Sequence, residues 1–174
     1  MKNTETQAAE EPIKKAVTQP VLDEIVARIS EAAGSEAIEE AYINALSDDI
    51  PTLVVKNEHW FAAARVLKQT PGLSMNYLRN ITGVDQEKYL EAVYHFINLE
   101  TKHECCVKVK TDRENGRIAS VTSLWPTADW QEREIYDLLG IEFTGHPNLK
   151  RIMMSDDWSG HPLRKDYEPL DPEV

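Results

Sequence analysis

After Gly140 the chain loses its apolar periodicity, and this limits what it can fold into. Gly145, Pro147, Gly160, Pro162, Pro169 and Pro172 punctuate the remainder, with few apolar residues at helical or strand spacing between them. Such a stretch cannot build a core of its own. It must lie along the domain before it or on another chain. Its other residues are mixed: the basic pairs Lys150-Arg151 and Arg164-Lys165, acids beside them, and apolar anchors such as Ile152-Met153. Charge pairs, anchors and turn formers without a cofactor ligand set suit docking onto a partner better than chemistry.

The domain before it is readable from periodicity. Leu22, Ile25, Val26 and Ile29 fall at i, i+3, i+4 and i+7 and predict a helix from Pro20, with Gly34 as its cap. Residues 37–46 read as extended, 48–51 as a turn and 52–55 as a short strand. Asn57 reads as a helix N-cap, followed by a buried stripe of Trp60, Phe61, Ala64 and Leu67 that Pro71-Gly72 stops. Residues 73–84 and 89–99 are strand-like, the second with apolar residues on both faces, as in an inner strand covered at least in part on both sides. Cys105, Val107 and Val109 alternate with Glu104, Lys108 and Lys110. Asn115-Gly116 signals a hairpin into a further alternating run, 118–124. Residues 130–139 form a third helix ended by Gly140. The expected fold is α+β: a two-layer helix-β2-helix-β3 domain with a mixed, largely antiparallel sheet and helices on one face. Its divisions are a disordered polar tail (1–17), the core (18–128), and a C-terminal helix with an extended docking segment (129–174).

Composition narrows the function. The 174 residues are 41% hydrophobic and 28% charged, with a net charge of −11. No broad basic face is available for nucleic acid, and the charge disfavours an anionic membrane surface. No apolar run approaches the roughly 20 residues of a spanning helix, and the first residues lack the apolar core of a signal peptide. A cytoplasmic protein attached to membranes only through partners is expected. Cys105 and Cys106 are adjacent, which disfavours a structural disulfide, and two sulfurs alone do not ligate an iron–sulfur cluster. They read as ordinary strand residues.

Glu132, Arg133, Glu134 and Asp137 are the most conspicuous candidates for acid–base work. Each also has a structural reading. Asp129 and Glu132 have capping-box spacing, and Arg133 and Asp137 are i, i+4 neighbours able to pair along the helix. His146 sits on a Gly-His-Pro turn and reads as a local or interface hydrogen-bonding group. The histidines match no zinc spacing, and no GxGxxG, P-loop or GxSxG motif is present. Trp125, Trp130 and Trp158 flank the docking segment as aromatic anchors.

Taken together, Glu132-Arg133-Glu134, Asp137-Leu138-Leu139, His146, Lys150, Ile152-Met153, Asp157-Trp158 and Pro162-Leu163-Arg164-Lys165-Asp166-Tyr167, at these spacings, resemble the C subunit of the NADH-quinone oxidoreductase of respiratory complex I, the 30 kDa subunit family. One departure is Glu168, which stands between Tyr167 and Pro169 where relatives often read Tyr-Pro. The resemblance implies a structural component of the quinone-reducing module, with no cofactor of its own. FMN, iron–sulfur clusters and quinone would lie on other subunits. It further implies the D subunit as the main contact, with the B and I subunits nearby, at the cytoplasmic face of the cell membrane. The implied interface residues are Glu132, Arg133, Glu134, Asp137, His146, Lys150, Arg151, Trp158, Arg164, Lys165, Asp166 and Tyr167. The equivalent component of a related membrane-bound hydrogenase or other-donor dehydrogenase is the alternative.

Overall fold

The structure, a computed structural model, describes residues 5–168, with side chains from residue 18 onward. Its element order is α1 (Glu5–Ala33), β1 (Ile38–Asn44), β2 (Ile50–Val55), α2 (Trp60–Gln69), β3 (Tyr77–Asp85), β4 (Leu90–Ile97), β5 (Glu104–Thr111), β6 (Arg117–Ala119), α3 (Ala128–Leu139) and β7 (Glu142–Thr144). Strands β1–β5 form one sheet in the order β1-β2-β5-β4-β3. All its pairings are antiparallel except β2 with β5. The expected α+β class, helix-β2-helix-β3 order and mixed sheet are therefore those observed.

Register sets the faces. Leu53, Val107, Tyr94 and Ile81 stand in one cross-strand row. That row and its neighbours meet Leu22, Ile25 and Ile29 of α1, Trp60 and Leu67 of α2, and Ile135 and Leu139 of α3 in one core. All three helices thus lie on one face. Trp60 packs on Tyr94 with ring centroids 4.4 Å apart, and Phe96 on Trp125 at 4.7 Å. β4 is an inner strand, but helices cover it on one side only. Its Glu91 and Val93 on the other face are buried without belonging to the helix-covered core.

Several local expectations change. Helix α1 begins at Glu5, not Pro20, so the expected tail over 5–17 has helical backbone, while residues 1–4 lie outside the described residues. Its Ala, Glu and Lys are good helix formers, which a search for apolar periodicity passes over. Asn57 caps nothing: its amide reaches Thr111 Oγ1 at 3.3 Å and the Arg117 carbonyl at 2.5 Å. Phe61 is 38% exposed, and Ala63 takes its place in the buried stripe. The Asn115-Gly116 turn does not return the chain along β5, because β2 and β4 already occupy both edges of β5. Strand β6 instead pairs in parallel with β7 in a separate two-stranded sheet.

Candidate functional site: α3 and the strapped arm

Helix α3 stops because Gly140 adopts a left-handed conformation, φ 76°, and its N–H returns to the Tyr136 carbonyl at 2.9 Å. A side chain there would collide with His161 and Arg164. Those two residues belong to the segment after β7, called the arm below, which comes back across the helix end. The Asp137 carbonyl accepts from Arg151 Nη1 at 3.1 Å and His161 Nδ1 at 2.9 Å. The Leu138 carbonyl accepts from Leu163 N–H at 3.0 Å, and the Leu139 carbonyl from Arg164 Nε at 2.7 Å. The four carbonyls that end any helix without internal partners are here all satisfied, three of them by the arm.

Asp137 organises the middle of the arm. One carboxylate oxygen accepts the backbone N–H groups of Ile152, Met153 and Met154 at 2.9, 2.7 and 2.9 Å, and the other accepts Arg151 at 2.6 Å. Arg151 also donates to the carbonyls of Trp158 and Gly160, both at 3.1 Å. Burial pushes the Asp137 carboxyl up, but these donors outweigh it and hold it at about 2. Arg151, fourteen residues away, thus replaces the expected i, i+4 pairing with Arg133. Arg133 instead donates to the Lys150 carbonyl at 3.3 Å and lies over the Trp130 ring at 4.7 Å.

The arm is fixed at both ends. At its start, His146 Nδ1 accepts from Asn148 N–H at 3.0 Å, and Nε2 lies 3.2 Å from the Asp129 carbonyl, tying the turn to the first residues of α3. At its finish, Asp85 at the end of β3 accepts Lys165 N–H at 2.9 Å, Glu87 N–H at 2.7 Å and the Arg113 guanidinium. Arg113 also reaches Asp166 at 2.7 Å, and Lys165 Nζ reaches Glu87 at 3.0 Å. The Tyr167 ring packs against Gly160.

Glu132 forms no capping box. Helix α3 has no side-chain cap, and the Glu132 carboxyl instead binds Ser120 Oγ at 2.6 Å and Val121 N–H at 2.8 Å. Burial pushes it up to about 7. Trp125 is not an interface anchor, since it lies in the core with Nε1 donating to the Met75 carbonyl at 2.8 Å.

The proposed interface residues therefore separate into two sets. Glu132, Arg133, Asp137, His146, Arg151 and Arg164 hold the chain to itself, while Trp158 and Tyr167 are half-buried in the arm. Glu134, Lys150, Lys165 and Asp166 are exposed, as are Trp130, Met153 and Leu163, with Lys165 and Asp166 also pairing with Glu87 and Arg113. Asp85, Arg113 and His161 belong to the strap and carried no local signal, because Asp85 meets Lys165 across 80 positions. Among the described residues no group of three or more His, Cys, Asp or Glu could hold a metal ion, and no helix is long and apolar enough to cross a membrane.

This fold and site define a class: a small α+β domain that carries its own strapped C-terminal arm. The chain belongs to the family described as respiratory-chain NADH dehydrogenase, 30 Kd subunit, whose model matches residues 53–173. It is 46% identical over 125 residues to the C subunit of NADH-quinone oxidoreductase from Roseiflexus sp. (strain RS-1), covering 70% of this chain and 71% of that protein. To the protein of the same name from Moorella thermoacetica it is 45% identical over 121 residues, covering 68% and 80%. Among solved structures it resembles a trypsin-resistant fragment of Nqo5, with a TM-score of 0.57 and 28% identity over 72% of this chain and 99% of the fragment. It also resembles a chain of a membrane-bound sulfane sulfur reductase, an archaeal respiratory membrane complex, with a TM-score of 0.66 and 27% identity over 85% and 86%.

Proposed function

We propose that this chain is the structural C subunit of the quinone-reducing module of a complex I-type NADH-quinone oxidoreductase, which moves electrons to quinone and couples this to proton translocation. The observation that carries the reading is the family match over 53–173, which takes in the whole of α3 and the arm rather than the sheet alone. The chain contributes shape, not redox chemistry: FMN, iron–sulfur clusters and quinone belong to other subunits. It sits peripherally at the cytoplasmic face of the membrane, held by the D subunit, with the B and I subunits in the same module. Internal pairing of Asp137, Arg151 and Arg164 presets the arm, so less ordering is lost on docking. Glu134, Lys150, Lys165 and Asp166, with Trp130, Met153 and Leu163, form the face offered to the D subunit.

The test is purification of the tagged chain from detergent-solubilised membranes of its own organism. Recovery of the D and B subunits is expected, and Arg133→Ala or Arg164→Ala should lower their yield. Recovery of neither, or intact quinone reductase in cells lacking the chain, overturns the reading. The TM-score of 0.66 to a chain of the sulfane sulfur reductase favours a second reading, the equivalent position in a related membrane-bound complex such as a hydrogenase or a dehydrogenase with another electron donor. A flavin-bearing NADH-oxidising component in the purified complex decides for the first reading, and its absence for the second.

A further inference from the structure

Glu132 is an acid enclosed without a counter-charge. Its side chain has no exposure, and among the described residues no Lys, Arg or His pairs with it. Its partners are the Ser120 hydroxyl and the Val121 N–H. Two titratable groups face it. Asp129, on the same helix, disfavours its ionisation. The Tyr94 hydroxyl of β4 is buried, and its pKa is pushed up first by burial and then by the Glu132 charge, with the Trp60 indole acting against both. Desolvation and like charge thus act together on one carboxyl, and both favour its neutral form.

The position gives that proton a consequence. Ser120 and Val121 follow β6 directly, and β6 pairs with β7, the last strand before the arm. Ser120 N–H also donates to the Thr144 carbonyl at 2.9 Å. A neutral carboxyl donates to Ser120 Oγ while its other oxygen accepts Val121 N–H, which leaves the Ser120 hydroxyl free to donate to Thr122 Oγ1, 2.8 Å away. An ionised carboxylate only accepts. It takes the Ser120 proton from Thr122 and holds an unpaired charge in the core.

We propose that the junction of α3 with Ser120-Val121 is a proton-controlled clasp at the root of the arm, closed while Glu132 is neutral and loosened once it is ionised. This holds for the chain alone, whichever complex it serves. Opening exposes the carboxyl to water, where its ordinary value of 4.5 replaces the value of about 7 inside. By linkage, opening becomes more frequent as pH rises between those values and levels off above the higher one.

Amide hydrogen exchange of the full chain, corrected for intrinsic pH dependence, reads this directly at Val121. Between about pH 5 and about pH 8, protection at Val121 should fall by up to roughly a hundredfold, most of it below about pH 7. In Glu132→Gln, which keeps the size but cannot ionise, protection should stay level. Level protection in the parent chain, or an equal fall in Glu132→Gln, overturns the clasp. Should the Gln variant not fold, the carboxyl carbon signal of Glu132 in the parent chain decides. A midpoint near 7 supports the clasp, and one near 4.5 overturns it.

Discussion

A single guanidinium nitrogen joins Arg151 to Asp137 twice, at 2.6 Å to the carboxylate and 3.1 Å to the carbonyl of the same residue. One residue thereby serves as helix end and as anchor of the arm. The anchor is selective for a carboxylate. Asparagine keeps the shape but turns one acceptor into a donor, facing either Arg151 or the N–H groups of Ile152, Met153 and Met154. Asp137→Asn should therefore cost roughly 3 kcal/mol of stability, since it leaves donors unmatched in a site with no exposure. Urea unfolding measures the cost, and faster amide exchange at residues 152–154 shows where it falls.

The pH dependence of the arm in acid has the opposite sign to that of the clasp. Asp137 is held at about 2 against an ordinary 3.8, and Arg113 holds Asp85 further below that range, with help from Lys165 and Glu87 N–H against burial. Groups with lowered values stabilise the fold fully above their ordinary pKa and lose this as pH falls through the folded one. Pepsin cleavage within residues 145–168 should accordingly rise as the pH falls from about 4 to about 2. With Glu132 weakening the root from the alkaline side, the arm is held most tightly at roughly pH 4 to 5. Unchanged cleavage across the acid range would contradict the anchor.

Two of the three ion pairs where the arm ends, Arg113 with Asp85 and Lys165 with Glu87, should differ in weight. Arg113 is 14% exposed and meets Asp85 at 3%, whereas Lys165 and Glu87 are 55% and 73% exposed. Exposed pairs are screened and contribute little, while removing Arg113 strands a buried carboxylate. Arg113→Ala should lower the urea midpoint and speed exchange at Lys165 N–H. Lys165→Ala should leave the midpoint nearly unchanged. Equal effects would show that burial does not separate the two.

What could be read in advance follows the range of the interaction. Ile25 and Ile29, Trp60 and Leu67, or Cys105, Val107 and Val109 declare themselves by local period, and they form the core as expected. Gly140 declared the end of α3 for a reason equally local, its left-handed φ. The failures are competitions between a near partner and a distant one. Glu132 could bond within the first turn of its helix but binds Ser120 and Val121, and Asp137 could pair with Arg133 but takes Arg151 and three N–H groups. In each case the tertiary site offers more donors than the helix surface does, and sequence spacing does not encode it. The charged motif was therefore legible as important, while its division into internal and outward residues was not.

The contact that seats α3 on the sheet can be tested at Gly83. Its partner in β4 is Ala92, and its backbone φ is unremarkable, so space alone requires glycine there. A Cβ would lie 2.9 Å from Ile135 Cγ2 and collide with Leu139 Cδ1. Gly83→Ala should thus destabilise by about 1–3 kcal/mol through overpacking. Because α3 carries the capped carbonyls and Asp137, pushing the helix outward should also speed exchange across residues 152–164. Leu139→Ala alone opens a cavity and destabilises as well, but in the double variant the new methyl group occupies part of that space. The double variant should therefore be more stable than the sum of the single effects by about 1 kcal/mol. Strict additivity in thermal or urea unfolding would mean that Gly83 is kept for some reason other than the approach of α3.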